Sequence, residues 1–188
     1  MRLIRRMSEV MSLTVQPLML TRETFRDVVD ENARDLFRLA FRLTGNEADA
    51  EEVVQETFMR AYRWHHRFDG RSQIRTWLYR IASNAAMDLL RRRSRRSAET
   101  DLETAPRLSA PASQETLLAG GEIGSRIREA LDLLSDVERT AFVLRHCQGF
   151  SIREIAAVLD SSEMSAKHAV FRAVRKLRQE LEPLRGGR

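Results

Sequence analysis

Few residues in this chain are placed for covalent chemistry. The metal-type ligands that cluster are His65-His66 and His146-Cys147. Neighbours in sequence rarely bind one metal together, and no third ligand stands at a useful spacing. Cys147 is the single cysteine, so no internal disulfide can form, and a reducing cytoplasm is the natural home. There is no glycine-rich phosphate loop. The expectation is therefore no enzyme, no catalytic residue, no metal and no cofactor. What the spacing does arrange is charge. Asp49, Glu52 and Glu56 stand three and four apart, which places three carboxylates in one stripe on a helix. Further on, Thr76, Arg80, Ser83, Asn84, Met87 and Arg91 share one helical side, and Arg91–Arg96 adds five arginines. Arginines neutralise phosphates and release counterions, while Asn and Thr reach base edges. The chemistry on offer is non-covalent recognition. The carboxylate stripe is open to two readings, a solvated face or a docking face for a basic partner.

The elements that must position these groups are helical. Ala33, Leu36, Phe37, Ala40 and Phe41 recur at three- and four-residue steps, one buried face of a helix that Thr44-Gly45-Asn46 stops. Asn46 can cap the next helix, with Glu47 and Asp49 well placed at its positive end. That helix buries Ala50, Val53, Val54, Thr57, Ala61 and Tyr62. After the loop Arg67–Arg71, Ser72 can cap a third helix with a core side of Ile74, Trp77, Leu78, Ile81, Ala85 and Leu89. Trp64, Phe68, Trp77 and Tyr79 sit among its charges and can stack on an unpaired base; Trp77 also borders the core side.

The net charge of +5 over 188 residues hides an alternation. Asp27–Met59 carries nine carboxylates against three arginines; Arg60–Arg96 carries eleven arginines against Asp69 and Asp88. Abutting segments of opposite sign suggest two different partners. Residues 97–124 hold Pro106, Pro111, Gly120, Gly121 and Gly124 and are acidic, which reads as a flexible linker that would not adhere to DNA. Residues 1–23 read as a disordered arm; Glu9 interrupts any signal-peptide core. No apolar run reaches the ~18 residues of a membrane span. Few Gly and Pro argue against an all-β chain.

The second domain, residues 125–185, is more specific. Ser135-Asp-Val-Glu138 and Ser151-Ile-Arg-Glu154 both match the capping box. Gln148-Gly149 separates two short helices. After the turn Asp160-Ser161-Ser162, a longer helix runs to about Leu181. It buries Ala166, Ala169, Val170, Ala173, Val174, Leu177 and Leu181, and it gathers Lys167, His168, Phe171, Arg172 and Arg175 outside. Small Ala156 lets two helices cross closely, as in a helix-turn-helix. Asp160 stands where many such turns have Gly, and Asp tolerates the left-handed conformation better than most residues. The fold class expected is all-α: two small helical domains, 24–96 and 125–185, joined by a flexible linker, the second with a helix-turn-helix.

Three motifs in order carry a resemblance: the run from Asp49 to Phe58 (DAEEVVQETF), Phe68–Ser72 (FDGRS) with Thr76–Ala82 (TWLYRIA), and Gly149–Ala156 (GFSIREIA). Over about Thr24–Leu181 the chain resembles a bacterial RNA polymerase sigma factor of the extracytoplasmic-function type. The resemblance implies that the acidic helix docks on the β′ coiled coil of core RNA polymerase, through Asp49, Glu52, Val53, Gln55, Glu56 and Phe58, with the β subunit as a further partner. It implies that Phe68, Gly70, Arg71, Ser72, Arg75, Thr76, Trp77, Arg80, Asn84, Arg91 and Arg92 recognise and open the promoter −10 element, with one base turned out into a pocket. It implies that Ser151, Arg153, Ser165, Lys167, His168, Phe171, Arg172 and Arg175 meet the −35 duplex. An anti-sigma factor is an implied partner, and no membrane contact by the chain itself is expected. The run Met164–Ala169 departs from the family's usual entry to the recognition helix: Ala169 replaces a common basic residue and His168 a common small one. Phe171 has two open roles, a thymine methyl or the polymerase surface. The rival is a helix-turn-helix regulator that never joins polymerase; it accounts for the second domain but not for the first.

Overall fold

The computed structural model describes residues 22–65, 68, 73–100, 126 and 129–182, with side chains from Phe25 and, in the third helix, to Arg96. The expected arm, most of the linker, and Gly70, Arg71 and the proposed Ser72 cap lie outside these residues. Among the described residues all regular structure is helical. The elements are α1 (Arg22–Thr44), α2 (Glu47–Trp64), α3 (Ile74–Thr100), α4 (Asp136–Phe142), a π-helical turn (Val143–Cys147), α5 (Ile152–Leu159) and α6 (Glu163–Leu181).

Helices α1, α2 and α3 pack together as the first domain. Gly45 ends α1 at φ +70, where a Cβ would be strained. Asn46 caps α2, its side chain accepting from the Asp49 amide at 3.0 Å. Leu36, Leu39, Ala40, Leu43, Ala50, Val53, Ala61, Leu78, Ala82 and Leu89 fill the core. Tyr62, expected inside, is exposed on the rim, where its ring meets Phe25 edge-on at 5.3 Å.

In the second domain both capping boxes form. Ser135 and Ser151 each bond the backbone three residues on, and Glu138 and Glu154 reach back. Helix α5 ends at Asp160 in the left-handed conformation (φ 51, ψ 48), so the turn accepts Asp where Gly is common. Ser162 then caps α6. Ala166, Ala169 and Ala173 are buried, so α6 lies close on α4 and α5. The buried place of Ala169 explains the departure at that position: a basic side chain there would point into the core.

The two domains do not stand apart. Helix α5 packs on α3, and α1 touches both α4 and the π-helical turn. One hydrophobic cluster runs through both, from Leu36, Leu78 and Tyr79 to Leu144, Phe150, Ile155 and Ala166. The tethered separation expected from the linker did not include this shared core.

Candidate nucleic-acid interface

The acidic stripe is less free than its spacing implies. Glu52 and Gln55 are exposed, and Glu56 and Phe58 half-buried, whereas Asp49 and Val53 are buried. Asp49 is only 5% exposed because α3 passes beside it. Arg93 of α3 pairs with its Oδ2. Burial pushes the Asp49 carboxyl up, and neighbouring Glu52 adds to this, while Arg93 opposes both. Glu52 meets Arg92 at 3.6 Å and Glu56 meets Arg60 at 2.6 Å. The acidic and basic helices thus neutralise part of each other. Asp49, expected on the docking stripe, is thus turned to the interior of the first domain; Val53 is buried as its helical period implied, although the resemblance also implied it for docking; the exposed residues of α2 include Glu51, Glu52, Gln55 and Met59.

Helix α3 carries the expected −10 group. Arg80, Asn84, Arg91 and Arg92 are exposed, and Arg75 and Trp77 half-buried. Phe68 packs its ring 5.3 Å from Trp77. Thr76 and Ser83 are buried, contrary to an open polar side. Tyr79, offered as a stacking ring, is fully buried: it lies 4.8 Å from Phe150 of the second domain and donates to Gln148 Oε1 at 3.0 Å. Burial raises its phenol above the ordinary value. Arg75 donates to the Gln148 carbonyl at 3.0 Å and covers the Phe150 ring at 4.5 Å. Arg80 pairs with Asp160 at 2.9 Å. Two clefts border this helix. One, of about 410 Å³, runs between Thr76, Trp77 and Arg80 and the turn Asp160–Ser162. The other, of about 820 Å³, has Trp64, Arg80, Asn84 and Arg91 on one wall and Val137 and Leu159 on the other.

The residues expected at the −35 duplex are displayed outward. Lys167, His168, Phe171, Arg172 and Arg175 are exposed on α6, and Phe171 is 64% exposed. Arg153 is exposed on α5. Ser151 and Ser165 are exposed but engaged, Ser151 in its capping box and Ser165 with the Ser162 hydroxyl. Arg172 is also held from behind: its Nε donates to Glu138 Oε1 at 3.0 Å, and Lys176 donates to Oε2 at 2.7 Å. Burial works against the Glu138 charge, but these bonds and the Ser135 amide outweigh it and hold the carboxyl at about 2. Sequence reasoning saw Glu138 only as a cap and missed this second task. It also missed Gln148 and Phe150, although Phe150 stands in the quoted GFSIREIA run. Among the described residues no group of His, Cys, Asp and Glu could hold a metal.

Residues 28–96 match the Sigma-70 region 2 family and residues 125–177 the Sigma-70 region 4 family. Over 167 residues the chain is 32% identical to the ECF RNA polymerase sigma factor SigX of Bacillus subtilis, covering 87% of this chain and 86% of that protein. It is 31% identical over 189 residues to the RNA polymerase sigma-H factor of Pseudomonas aeruginosa, covering 88% and 98%. Among solved structures it matches the sigma factor RpoE in complex with the anti-sigma factor NepR from Bartonella quintana, with a TM-score of 0.68 and 26% identity over 84% of this chain and 96% of that one. It also matches CnrH in complex with the cytosolic domain of CnrY, with a TM-score of 0.66 and 26% identity over 87% and 90%. A region 2 that carries the acid-base helix pair, followed by a region 4 that carries the helix-turn-helix, places the chain among the extracytoplasmic-function RNA polymerase sigma factors, which direct RNA polymerase to promoters to initiate transcription.

Proposed function

We propose that each charged surface of this sigma factor has its own partner. The outward face of α2, with Glu51, Glu52, Gln55 and Met59, docks on a basic surface of core RNA polymerase, the β′ coiled coil. Arg80, Asn84, Arg91 and Arg92 of α3, with Trp77 and Phe68, take the opened −10 strand. Lys167, His168, Phe171 and Arg175 of α6 meet the −35 duplex in its major groove, with Arg172 positioned by Glu138. The observation that carries this reading is the segregation of charge onto separate exposed helix faces, acids on α2 and bases on α3 and α6. The chain performs no reaction of its own and works in the cytoplasm; among the described residues no helix is long and apolar enough to cross a membrane. An anti-sigma factor is a further partner, as RpoE has in its complex with NepR.

Opening one base of the promoter costs a few kcal/mol. Polymerase contacts, phosphate contacts and the captured base together must offset it, and joining two readers on one chain raises their effective concentration. The test is a pull-down with core polymerase. Glu51→Lys with Gln55→Lys is expected to weaken core binding by about tenfold, since rim charges act through complementarity. Undiminished core binding would remove α2 as the docking face.

A further inference from the structure

The larger cleft beside α3 is more than a strip of one helix, because four helices supply its walls. It measures about 820 Å³, inside the ordinary range for a small-molecule site. Both tryptophans of the chain, Trp64 and Trp77, line it. Trp64 comes from the last turn of α2 and is 41% exposed. Trp77 is braced by the Phe68 ring at 5.3 Å. Val137 at the start of α4 and Leu159 at the end of α5 close the far side with apolar surface. The first domain supplies the polar groups, Arg60 from α2 and Arg80, Asn84, Asp88 and Arg91 from α3.

The charge lining the cleft is unbalanced. Three arginines face it against the single carboxylate of Asp88. Asp88 stands 3.8 Å from Arg60 and 3.9 Å from Arg91, too far for a hydrogen bond to either. Arg60 gives its Nε to Glu56. A guanidinium has five donors in a planar fork suited to phosphate, so Arg60 and Arg91 both keep capacity after these contacts. Arg80 is committed elsewhere, to Asp160 at 2.9 Å. Along α3 the residues Trp77, Asn84, Asp88 and Arg91 stand at helical steps and share one side. Their order is a ring, an amide, a carboxylate and a guanidinium. A nucleotide presents complementary parts in that same order. Its base stacks on aromatic rings, its base edge pairs with Asn, its ribose hydroxyls donate to a carboxylate, and its phosphates take arginine.

We propose that this cleft binds a free purine nucleoside polyphosphate. The base lies against Trp64 and Trp77 with Asn84 at its edge, Asp88 takes the ribose, and Arg60 and Arg91 take the phosphates. A purine offers the larger ring to two tryptophans. The site differs from the capture of a promoter base, because Arg60, Trp64, Val137 and Leu159 belong to none of the residues assigned to the −10 strand. A ligand that needs walls from both domains favours the arrangement in which they are packed. Asn84 and Arg91 are also proposed for the −10 strand, so nucleotide and strand compete for them. That consequence alone rests on the assignment of α3 to the −10 strand.

Because both tryptophans line the cleft, the fluorescence of the full chain reports its occupancy. ATP, adenosine and inorganic tripolyphosphate are each titrated into the full chain, with calorimetry as a second measure of binding. The expected result is saturable quenching at sub-millimolar ATP, with adenosine and tripolyphosphate each weaker by about tenfold or more, since each lacks part of the contacts. Val137→Glu sets a carboxylate in the far wall, against the phosphates. An acid suits the first turn of α4, so that helix should hold. Trp64→Leu removes one ring and leaves Trp77 as reporter. Each variant should weaken ATP binding by about tenfold with an unchanged circular dichroism spectrum. No saturable ATP binding overturns the site. Tripolyphosphate binding as tightly as ATP overturns the nucleotide, since a bare anion patch needs no ring. Full ATP binding by Val137→Glu overturns the cleft, since the second domain is then no wall. Displacement of a fluorescein-labelled single-stranded DNA oligonucleotide by ATP reads the competition. ATP bound without displacement overturns the competition and counts against the strand assignment of α3, while the nucleotide site stands.

Discussion

At the scale of single residues, two carboxylates in similar-looking motifs have different environments. Asp49 is buried with one cationic partner, Arg93, and burial still disfavours its ionised form. Glu138 is buried with two cations and a backbone amide, and its ionised form is strongly favoured. A carboxyl whose pKa falls on folding stabilises the fold above its unfolded value and loses that contribution as pH drops through the folded value. For Glu138 the window runs from about 4.5 down to about 2. The contribution at neutral pH is about 2 kcal/mol after allowing for the half-exposed partners. Glu138→Gln is expected to lose that amount in urea unfolding at pH 7 and little near pH 2, where pH has fallen to the folded value. Because Glu138 also aims Arg172, the same variant should lower −35 duplex affinity. Spacing suggested Glu138 as a cap and was right, but Arg172 and Lys176 lie 34 and 38 residues away, beyond any local pattern.

At the scale of elements, local chemistry and observed helices agree closely in the second domain. Ser151, Glu154, Asp160 and Ser162 mark the ends of α5 and the start of α6 by backbone hydrogen bonding, which needs no distant partner. Ser151→Ala should therefore cost about 1 kcal/mol in thermal unfolding, through the lost Glu154 amide bond and the released Glu154 side chain. Hydrogen bonds from Ser151 hold Glu154 below the ordinary carboxylate range, so part of that loss should fade at acid pH. Helix α3 is the contrasting case. Its apolar side was legible in Leu78, Ile81, Ala85 and Leu89, all buried. Its other side was read as open because Thr76, Arg80 and Ser83 are polar. Polar residues border interfaces as well as solvent, and periodicity alone cannot tell the two apart.

At the scale of the molecule, the shared core between domains makes a strong demand on Phe150. Its ring is buried, lies against Tyr79, and carries the Arg75 guanidinium. Phe150→Ala is expected to lower stability by about 3–5 kcal/mol if the domains unfold together. If they uncouple, calorimetry should show two transitions in place of one, which separates a packing role within the helix-turn-helix from one between domains. Salt should act only weakly on this contact. Its centre is apolar, and the Arg80–Asp160 pair is exposed and so open to screening.

By itself the sequence determined the all-helical class, the helix ends, the two-part layout and the family. These follow from hydrophobic period, capping residues and contiguous motifs, all of which act over a few residues. It also determined which helix faces are acidic and which basic. Only the tertiary structure decided that Asp49 turns inward, that Arg92 and Arg93 answer the acids of α2, and that Tyr79 lies under Phe150. Each of these depends on segments brought together across dozens of residues. The outcome is set by competition: an arginine or tyrosine that can bind DNA can equally bind a carbonyl or a ring of its own chain when that surface is nearer. The charges are written locally, but which of them face a partner is settled by packing.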